Sequence, residues 1–312
     1  MTTTKKPRRP RRHHYIPEVY LKRWIGSDGM LIEFRHRYGG KVGPRSTSPG
    51  GTGYVFDLYT APNEAPDETA KLETQFFSPV DSAAGEALDL LYVDGQAEAW
   101  NDDQRSAWSR FILSLLLRTP EDIAFLKSSF SIDWTKTVPE MKPRNPEDWS
   151  ADDLARYRKT MASVSSEEKD SMALSLAPTL IDHEGIGARL NHMRWRTLQF
   201  VDVKRELLTS DRPVVMTGTL TEEHAHIILP IGPSRLFVAV KDDATFEILR
   251  KRDPDDLIEV INELVTQHAQ KVVFGRDTTQ LRFIQNRLGT KRQPSLMERI
   301  ERMRKHRVDA KN

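Results

Sequence analysis

The sequence contains no cysteine, and this absence excludes three kinds of chemistry at once. Disulfide frameworks, thiolate nucleophiles and cysteine-based zinc sites all require that residue. A long apolar run is also missing, because the longest strongly apolar stretch, residues 111–117, is far shorter than the roughly 20 residues that span a bilayer. The N-terminus is basic and lacks the apolar core of a secretory signal. These absences favour a cytoplasmic protein that has no membrane partner.

The common catalytic signatures are missing as well. The chain has no P-loop, no His-Glu-x-x-His zinc helix, no Gly-x-Ser-x-Gly elbow and no glycine fingerprint after a strand. The enzyme classes that carry these motifs are therefore disfavoured, and no specific cofactor is indicated.

The charge of the chain is unevenly distributed. Residues 1–12 carry six Lys or Arg and no acid, and residues 287–312 carry nine against three acids. Both ends are therefore near +6, whereas the remaining 32 basic and 42 acidic residues give a body near −10. Basic ends can bind the phosphates of nucleic acid, or they can simply be solvated. The candidate nucleic-acid contacts are Arg8, Arg9, Arg11, Arg12, Arg302 and Arg304.

Periodicity predicts a helical N-terminal half with one short β-hairpin. Helices are expected over 15–24, 67–91, 102–118, 120–130 and 151–191, with a proline-containing loop over 135–153. Asn101 is a suitable N-cap, and Pro79 is expected to kink or break its helix. Alternating residues on either side of Gly39 and Gly40 predict the hairpin, over 30–36 and 41–45.

The C-terminal half has a different pattern. Short β-branched or aromatic runs between residues 193 and 240 predict an antiparallel sheet, followed by a helix over 253–270 and a closing strand over 271–274. Together the two halves predict an α+β fold in one compact domain. We expect a disordered basic tail over 1–12 that leads into His13, a domain over 13–285, and a basic tail or helix over 286–312.

Three segments carry more specific patterns. They are His13-His14-Tyr15-Ile16-Pro17 with Tyr20-Leu21 and Trp24, Arg118-Thr119-Pro120, and Thr209-Ser210-Asp211-Arg212-Pro213-Val214. These segments resemble the domain of unknown function 4238 family, whose members open with His-Tyr-x-Pro-x-x-Tyr-Leu-x-x-Phe and later show Thr-Ser-Asp-x-Pro-Val. The resemblance spans roughly residues 13–275.

The match can be followed residue by residue. The opening motif is matched by His14, Tyr15, Pro17, Tyr20 and Leu21, with Trp24 in place of the usual Phe. The later motif is matched by Asp211, Pro213 and Val214, with Arg212 where Asn is common. The resemblance also implies acidic residues on the helix after the first strands, here Glu73 and Asp81, and places Asn262 in the closing helix. It implies kinship and no particular reaction.

The polar residues of these segments suggest a site. A histidine near an aspartate, an arginine and a second acid can bind a divalent metal or transfer protons at a phosphate ester. His14 is a candidate ligand or base, Asp211 a metal ligand or the group that orients the imidazole, and Arg118 a clamp for an anionic oxygen. Glu73 and Asp81 share a helix face and can point into one cleft.

Structural roles are equally open for these residues. His14 can bond a backbone carbonyl, Asp211 can form a turn, and Arg118 can satisfy the last carbonyls of its helix. Tyr15, Tyr20 and Asn262 are expected to support the site.

Two functions follow from these patterns. The first is a hydrolase or nuclease-like enzyme that acts on phosphodiesters through His14, Asp211, Arg118 and Glu73. The alternative is a non-catalytic module that binds nucleic acid or protein through its basic ends.

Overall fold

The computed structural model describes residues 11–60, 71–93, 100–217 and 225–292 together with residues 294, 295, 297 and 298. It begins with β1 (Arg12–His14) and α1 (Glu18–Leu21), which a 3₁₀ turn extends to Trp24. The predicted hairpin follows as β2 (Leu31–His36) and β3 (Val42–Thr47), and then β4 (Tyr54–Phe56) pairs antiparallel with β1. The short helix and the hairpin predicted for this region are confirmed.

The helical region starts with a π-helical segment, Leu72–Phe77, that continues into α2 (Ser78–Val93). It proceeds through α3 (Asp102–Leu117), α4 (Pro120–Thr137), α5 (Ala151–Ala162), α6 (Ser166–Ser175), α7 (Ala177–Ile181) and α8 (Glu184–Asn191). Asn101 caps α3 as predicted, since its side chain accepts from the Gln104 N–H at 2.9 Å. The loop predicted over 135–153 is shorter than expected, because α4 runs to Thr137 and α5 begins at Ala151.

The C-terminal half supplies β5 (Arg194–Gln199), β6 (Thr209–Ser210), β7 (Val215–Thr217), β8 (His226–Gly232) and β9 (Arg235–Val240). These are followed by α9 (Asp243–Arg250), α10 (Pro254–His268), β10 (Val272–Gly275) and α11 (Leu281–Gln285). Every strand pairing in the described residues is antiparallel. The predicted α+β fold is therefore confirmed.

The strands of the C-terminal half enter two different sheets. One sheet has the order β5-β9-β8-β7, and the other has the order β3-β2-β10-β6. The prediction of a single sheet over 193–240 is wrong for β6, which pairs with β10 and joins the N-terminal hairpin. Local sequence patterns do not specify a strand's partner, so this exchange between sheets was not visible in them.

One large hydrophobic core connects the two halves. It includes Trp24, Leu88 of α2, Trp108 of α3, Trp195 of β5 and Phe274 of β10. The N-terminal motif, the helical region and both larger sheets therefore bury their apolar faces against one another. In the described part of the chain, no helix is long and apolar enough to cross a membrane.

The predicted N-terminal tail overlaps the domain by two residues. Arg12 is the first residue of β1, and the Arg11 guanidinium lies 2.7 Å from the Asp57 carboxylate. His13, which directly follows the predicted tail, is fully buried. Residues 1–10 lie outside the described part of the chain.

The predicted C-terminal boundary at residue 285 is too early. Leu288 is buried, and the Gly289 N–H donates to the Thr266 carbonyl at 3.1 Å. Ser295 is buried as well, and its N–H donates to the Glu298 carboxylate at 2.9 Å. Arg302 and Arg304 lie outside the described residues, as do Arg8 and Arg9 at the other end.

Candidate functional site

A glycine-containing loop fixes the backbone of the opening motif. The Gly53 carbonyl accepts hydrogen bonds from the N–H groups of Tyr15 at 2.9 Å and Ile16 at 3.1 Å. Gly53 has φ +66°, and a Cβ there would lie 3.1 Å from the Ile16 carbonyl oxygen. Both the conformation and the close approach therefore require glycine. This contact places His14 of β1 directly beside the loop.

The His14 imidazole is largely buried and keeps an unused nitrogen. Its Nε2 has no hydrogen-bond partner and lies 3.5 Å from a Glu18 carboxylate oxygen. Burial lowers the pKa of His14, and Glu18 opposes that effect. The charges of Arg118 and Arg12 lower the pKa of His14 further. The lowered pKa favours the neutral ring at pH 7.

Arg118 connects three segments from the centre of the site. Its Nη1 donates to Asp81 of α2 at 2.9 Å, and its Nε donates to the Tyr15 carbonyl at 3.2 Å. Its own carbonyl accepts from the Tyr59 hydroxyl at 2.8 Å. The side chain is completely buried, so it cannot serve as the predicted clamp on a bound anion. Its contacts assign it a positioning role, and its guanidinium bonds Tyr15 rather than the last carbonyls of α3.

Glu73 and Asp81 both face this arginine, as their shared helix face predicts. Burial raises the pKa of Glu73 to about 7, although the charge of Arg118 opposes the shift. Asp81 raises that pKa further, and burial raises the pKa of Asp81 itself against the same arginine. Glu73 Oε2 has no hydrogen-bond partner. Glu73 therefore exchanges a proton near neutral pH.

Asp211 bonds to the segment that precedes β10, and the neighbouring Arg212 contacts Thr119 and Asp122 at the start of α4. The two carboxylate oxygens of Asp211 accept from the N–H groups of Gln270 at 2.8 Å and Lys271 at 2.7 Å, just before β10. Burial raises the pKa of Asp211 to about 6, while these two bonds oppose the shift. Asp211 therefore holds the start of β10 through two backbone hydrogen bonds. The expected turn at Asp211 is instead a long-range contact.

The described residues contain no set of side chains that could serve as ligands for the predicted metal ion. No group of three or more His, Asp or Glu side chains there is arranged to hold a metal ion. His14 and Asp211, the two predicted ligands, have separate partners. A cleft of about 250 Å³ does exist between α3 and α8, lined by residues that include Ser109, Arg110 and His183, but none of the predicted site residues lines it.

Comparison with known proteins identifies the family. A family model described as "Protein of unknown function (DUF4238)" matches residues 12–279, which is most of the chain. The chain belongs to the DUF4238 family. No curated protein and no solved structure gives a significant match. The resemblance proposed from the sequence motifs is thereby confirmed, and the family description assigns no reaction.

The predicted supporting residues of this DUF4238 protein have structural contacts. Tyr20 donates its hydroxyl hydrogen to the Pro230 carbonyl at 2.6 Å, and its oxygen lies 2.7 Å from Thr209 Oγ1. Asn262 accepts from the Leu208 N–H at 2.8 Å and donates to the Glu206 carbonyl at 2.8 Å. Both side chains therefore connect separate segments of the core.

Tyr15 is buried between the two groups of polar residues. Burial raises the pKa of its hydroxyl, and the charge of Asp211 contributes to that shift. Its backbone carbonyl, in contrast, bonds to Arg118. Tyr15 therefore contacts Arg118 through its backbone carbonyl, while its hydroxyl is influenced by Asp211.

Two members of the site were missed from the sequence. His13 lies inside the fold, where its Nδ1 accepts from the Tyr59 N–H at 2.9 Å and its ring stacks on Tyr59 at 5.3 Å. Tyr59 in turn contacts Phe77, with ring centroids 4.6 Å apart. The signal for His13 was its position directly before the motif, which the neighbouring arginines obscured. Tyr59 carries no local signal.

Proposed function

We propose that this DUF4238 protein is a hydrolase that acts on phosphodiesters, with Glu73 and His14 as its proton-transfer groups. The observation that carries the proposal is Glu73, which has a pKa of about 7 and one oxygen without a hydrogen-bond partner, near the same buried Arg118 that acts on His14. Arg118 acts electrostatically on both groups. Catalytic acids and bases are most effective when their pKa values lie near the working pH.

The roles follow from the protonation states. His14 Nε2, which is neutral, takes a proton from the attacking water as the water oxygen bonds to phosphorus. Glu73, which is protonated below pH 7, gives its proton to the leaving oxygen as the phosphorus–oxygen bond breaks. Arg118 positions the backbone next to His14 through its bond to the Tyr15 carbonyl, and it acts on Glu73 through its charge. Asp211 has no role in this scheme.

Hydrolysis of bis(4-nitrophenyl) phosphate by the full chain tests the proposal. We expect a bell-shaped pH profile of kcat/KM, with the limb at higher pH set by Glu73 near pH 7. Glu73→Gln and His14→Gln should each lower kcat by about 100-fold or more, since general acid–base groups contribute about that much. Glu73→Gln should also remove the limb at higher pH.

Matched controls on exposed residues separate catalysis from general effects. Glu86→Gln on α2 and His192→Gln after α8 change the same residue types at exposed positions and should keep full activity. Reactions are run with a chelator and with added Mg²⁺ or Mn²⁺. Wild-type hydrolysis at the background rate under all these conditions, or full activity in a folded Glu73→Gln variant, would sink the proposal.

Binding of nucleic acid without catalysis is a second candidate. The observation that favours it is Arg12, which is exposed and lies 4.9 Å above the Tyr54 ring. In this case the basic ends bind phosphates, affinity falls steeply with salt, and removal of the ends abolishes binding. Salt-independent binding contradicts this candidate.

A further inference from the structure

A second basic region lies inside the domain, apart from the two ends of the chain. Residues 34–56 contain Arg35, Arg37, Lys41 and Arg45 but no Asp or Glu. The body around this segment has a net charge near −10. A segment that carries only positive charges within an acidic body indicates a surface for a polyanionic partner.

The hairpin register places these cations on one face. Glu33 pairs with Arg45, and Arg35 pairs with Gly43, so their side chains point to the same side of the two strands. Glu33 is buried and lies 2.7 Å from Arg35 Nε and 3.0 Å from Arg45 Nη2. One carboxylate therefore holds the half-buried Arg35 and the exposed Arg45 in place and neutralises only one of the two charges.

The face continues onto the β1–β4 ribbon. Arg45 donates to the Gly51 carbonyl and Arg12 donates to the neighbouring Gly50 carbonyl, both at 3.4 Å. These two arginines therefore meet over one turn, although they lie on different sheets. We use the term basic face for Arg12, Arg35, Arg37, Lys41 and Arg45. Among the described residues, no carboxylate forms an ion pair with Arg12, Arg37 or Lys41.

Exposed aromatic rings accompany the cations. Tyr38 at the hairpin tip has a relative exposure of 107%, and Phe56 of β4 has 56%. Gly39 and Gly40 after Tyr38 have φ values of +80° and +77°, so a tight turn holds the tyrosine at the tip. Exposed rings next to arginines are the features on which unpaired bases stack.

We propose that the basic face binds single-stranded nucleic acid, with its phosphates on the cations and a base on Tyr38. A duplex hides the faces of its bases, whereas a single strand offers them to an exposed ring. The proposal goes beyond the hydrolase function and holds whether or not the His14 cluster is catalytic. It also differs from binding by the chain ends, since Arg37, Tyr38 and Lys41 lie within the hairpin.

Fluorescence anisotropy with the full chain tests this surface. The probes are fluorescein-labelled oligothymidine and oligouridine of about 20 nucleotides, and a duplex of equal length. We expect Arg37→Ser/Lys41→Ser to weaken binding at least about tenfold and to reduce the salt slope by about 0.7 per charge removed. Tyr38→Ala should weaken binding at least about fivefold without changing the salt slope.

Control variants match the type of change at other exposed positions. Lys251→Ser/Arg252→Ser removes the same charge between α9 and α10, and Trp149→Ala removes an exposed ring before α5. Neither control variant should change the affinity for the single-stranded oligonucleotides. Arg8→Ser/Arg9→Ser separates the N-terminal end from the basic face.

Several outcomes would overturn the assignment. They are equal affinity of the hairpin variants and the wild type, equal losses in the Lys251→Ser/Arg252→Ser control, and a loss confined to Arg8→Ser/Arg9→Ser. Duplex binding as tight as single-strand binding, with Tyr38→Ala unchanged, would show a general polyanion surface instead. Binding of either oligothymidine or oligouridine supports the proposal, and their ratio shows whether the 2′-hydroxyl is recognised.

Discussion

Arg118 is a buried cation, and its charge influences each titratable group of the candidate site. It lowers the pKa values of His14, Glu73 and Asp81, whereas burial acts in the opposite direction on the two acids. For Glu73 burial is the larger effect, so the carboxyl is half protonated near pH 7. Arg118 thus favours a neutral imidazole, whereas burial makes Glu73 a weak acid in spite of the arginine.

Stability should depend on pH through Glu73. Because its pKa rises from 4.5 in the unfolded chain to about 7 on folding, its contribution is fully present below pH 4.5 and lost as pH rises through 7. Between pH 4.5 and 8 the wild type should lose about 2 kcal/mol of unfolding free energy that Glu73→Gln does not lose. Urea unfolding of both proteins across this range measures the difference.

Other titrating groups are shared by both proteins and cancel in this comparison. Glu86→Gln, at an exposed position on the same helix, should follow the wild-type pH dependence. If the unfolding free energies of the wild type and Glu73→Gln changed with pH in parallel, the pKa of Glu73 would not be raised by folding.

At the scale of elements, Asp211 determines where β10 begins. Its carboxylate accepts the N–H groups of Gln270 and Lys271, and its own N–H donates to the Val272 carbonyl at 3.1 Å. These three bonds attach the residue that follows β6 to the turn that precedes β10. The later family motif therefore acts as a connection between two segments about 60 residues apart.

Replacement of Asp211 should reduce stability. Asp211→Ala removes a buried carboxylate that accepts two backbone N–H groups, so we expect a loss of about 3 kcal/mol of unfolding free energy. Asp211→Asn should lose less, because the amide keeps one acceptor oxygen. Denaturant unfolding gives both values.

The control for this change is Asp277→Ala. Asp277 is exposed and accepts from the Thr279 N–H at 2.9 Å, so its loss should cost less than about 1 kcal/mol. If Asp211→Ala kept wild-type stability but lost activity, the structural role would be wrong. The catalytic role that the sequence suggested for Asp211 would then be supported.

At the scale of the whole molecule, the N-terminal motif connects the helices to both larger sheets. Tyr20 bonds to residues of β6 and β8, and Trp24 Nε1 donates to the Leu207 carbonyl at 2.9 Å. Trp24, Trp108 and Trp195 lie in the same core. A single shared core favours one cooperative unfolding unit rather than separate helical and sheet domains.

Unfolding curves should therefore coincide. Tryptophan fluorescence of the Trp134→Phe/Trp149→Phe variant reports mainly on the shared core, whereas far-ultraviolet circular dichroism reports mainly on the helices. We expect the same urea midpoint from both signals. A lower urea midpoint by circular dichroism than by fluorescence would indicate that α4 to α6 unfold separately.

The sequence by itself determined the local elements and the membership of the family. Helix spans, the Asn101 cap and the hairpin turn follow from interactions between residues close in the chain, so periodicity and turn chemistry predicted them. The grouping of Glu73 and Asp81 beside Arg118 was also partly visible, because a helix face is a local property.

Only the tertiary structure decided how distant segments meet. The pairing of β6 with β10, the burial of His13 against Tyr59 and the bonding of Asp211 to the segment before β10 depend on contacts between residues far apart in sequence. Such contacts leave no periodic signal, since the free energy that selects them comes from burial and hydrogen bonding in the assembled core. For the same reason the pKa of Glu73 could not be read from the sequence, because the burial that raises it exists only after folding.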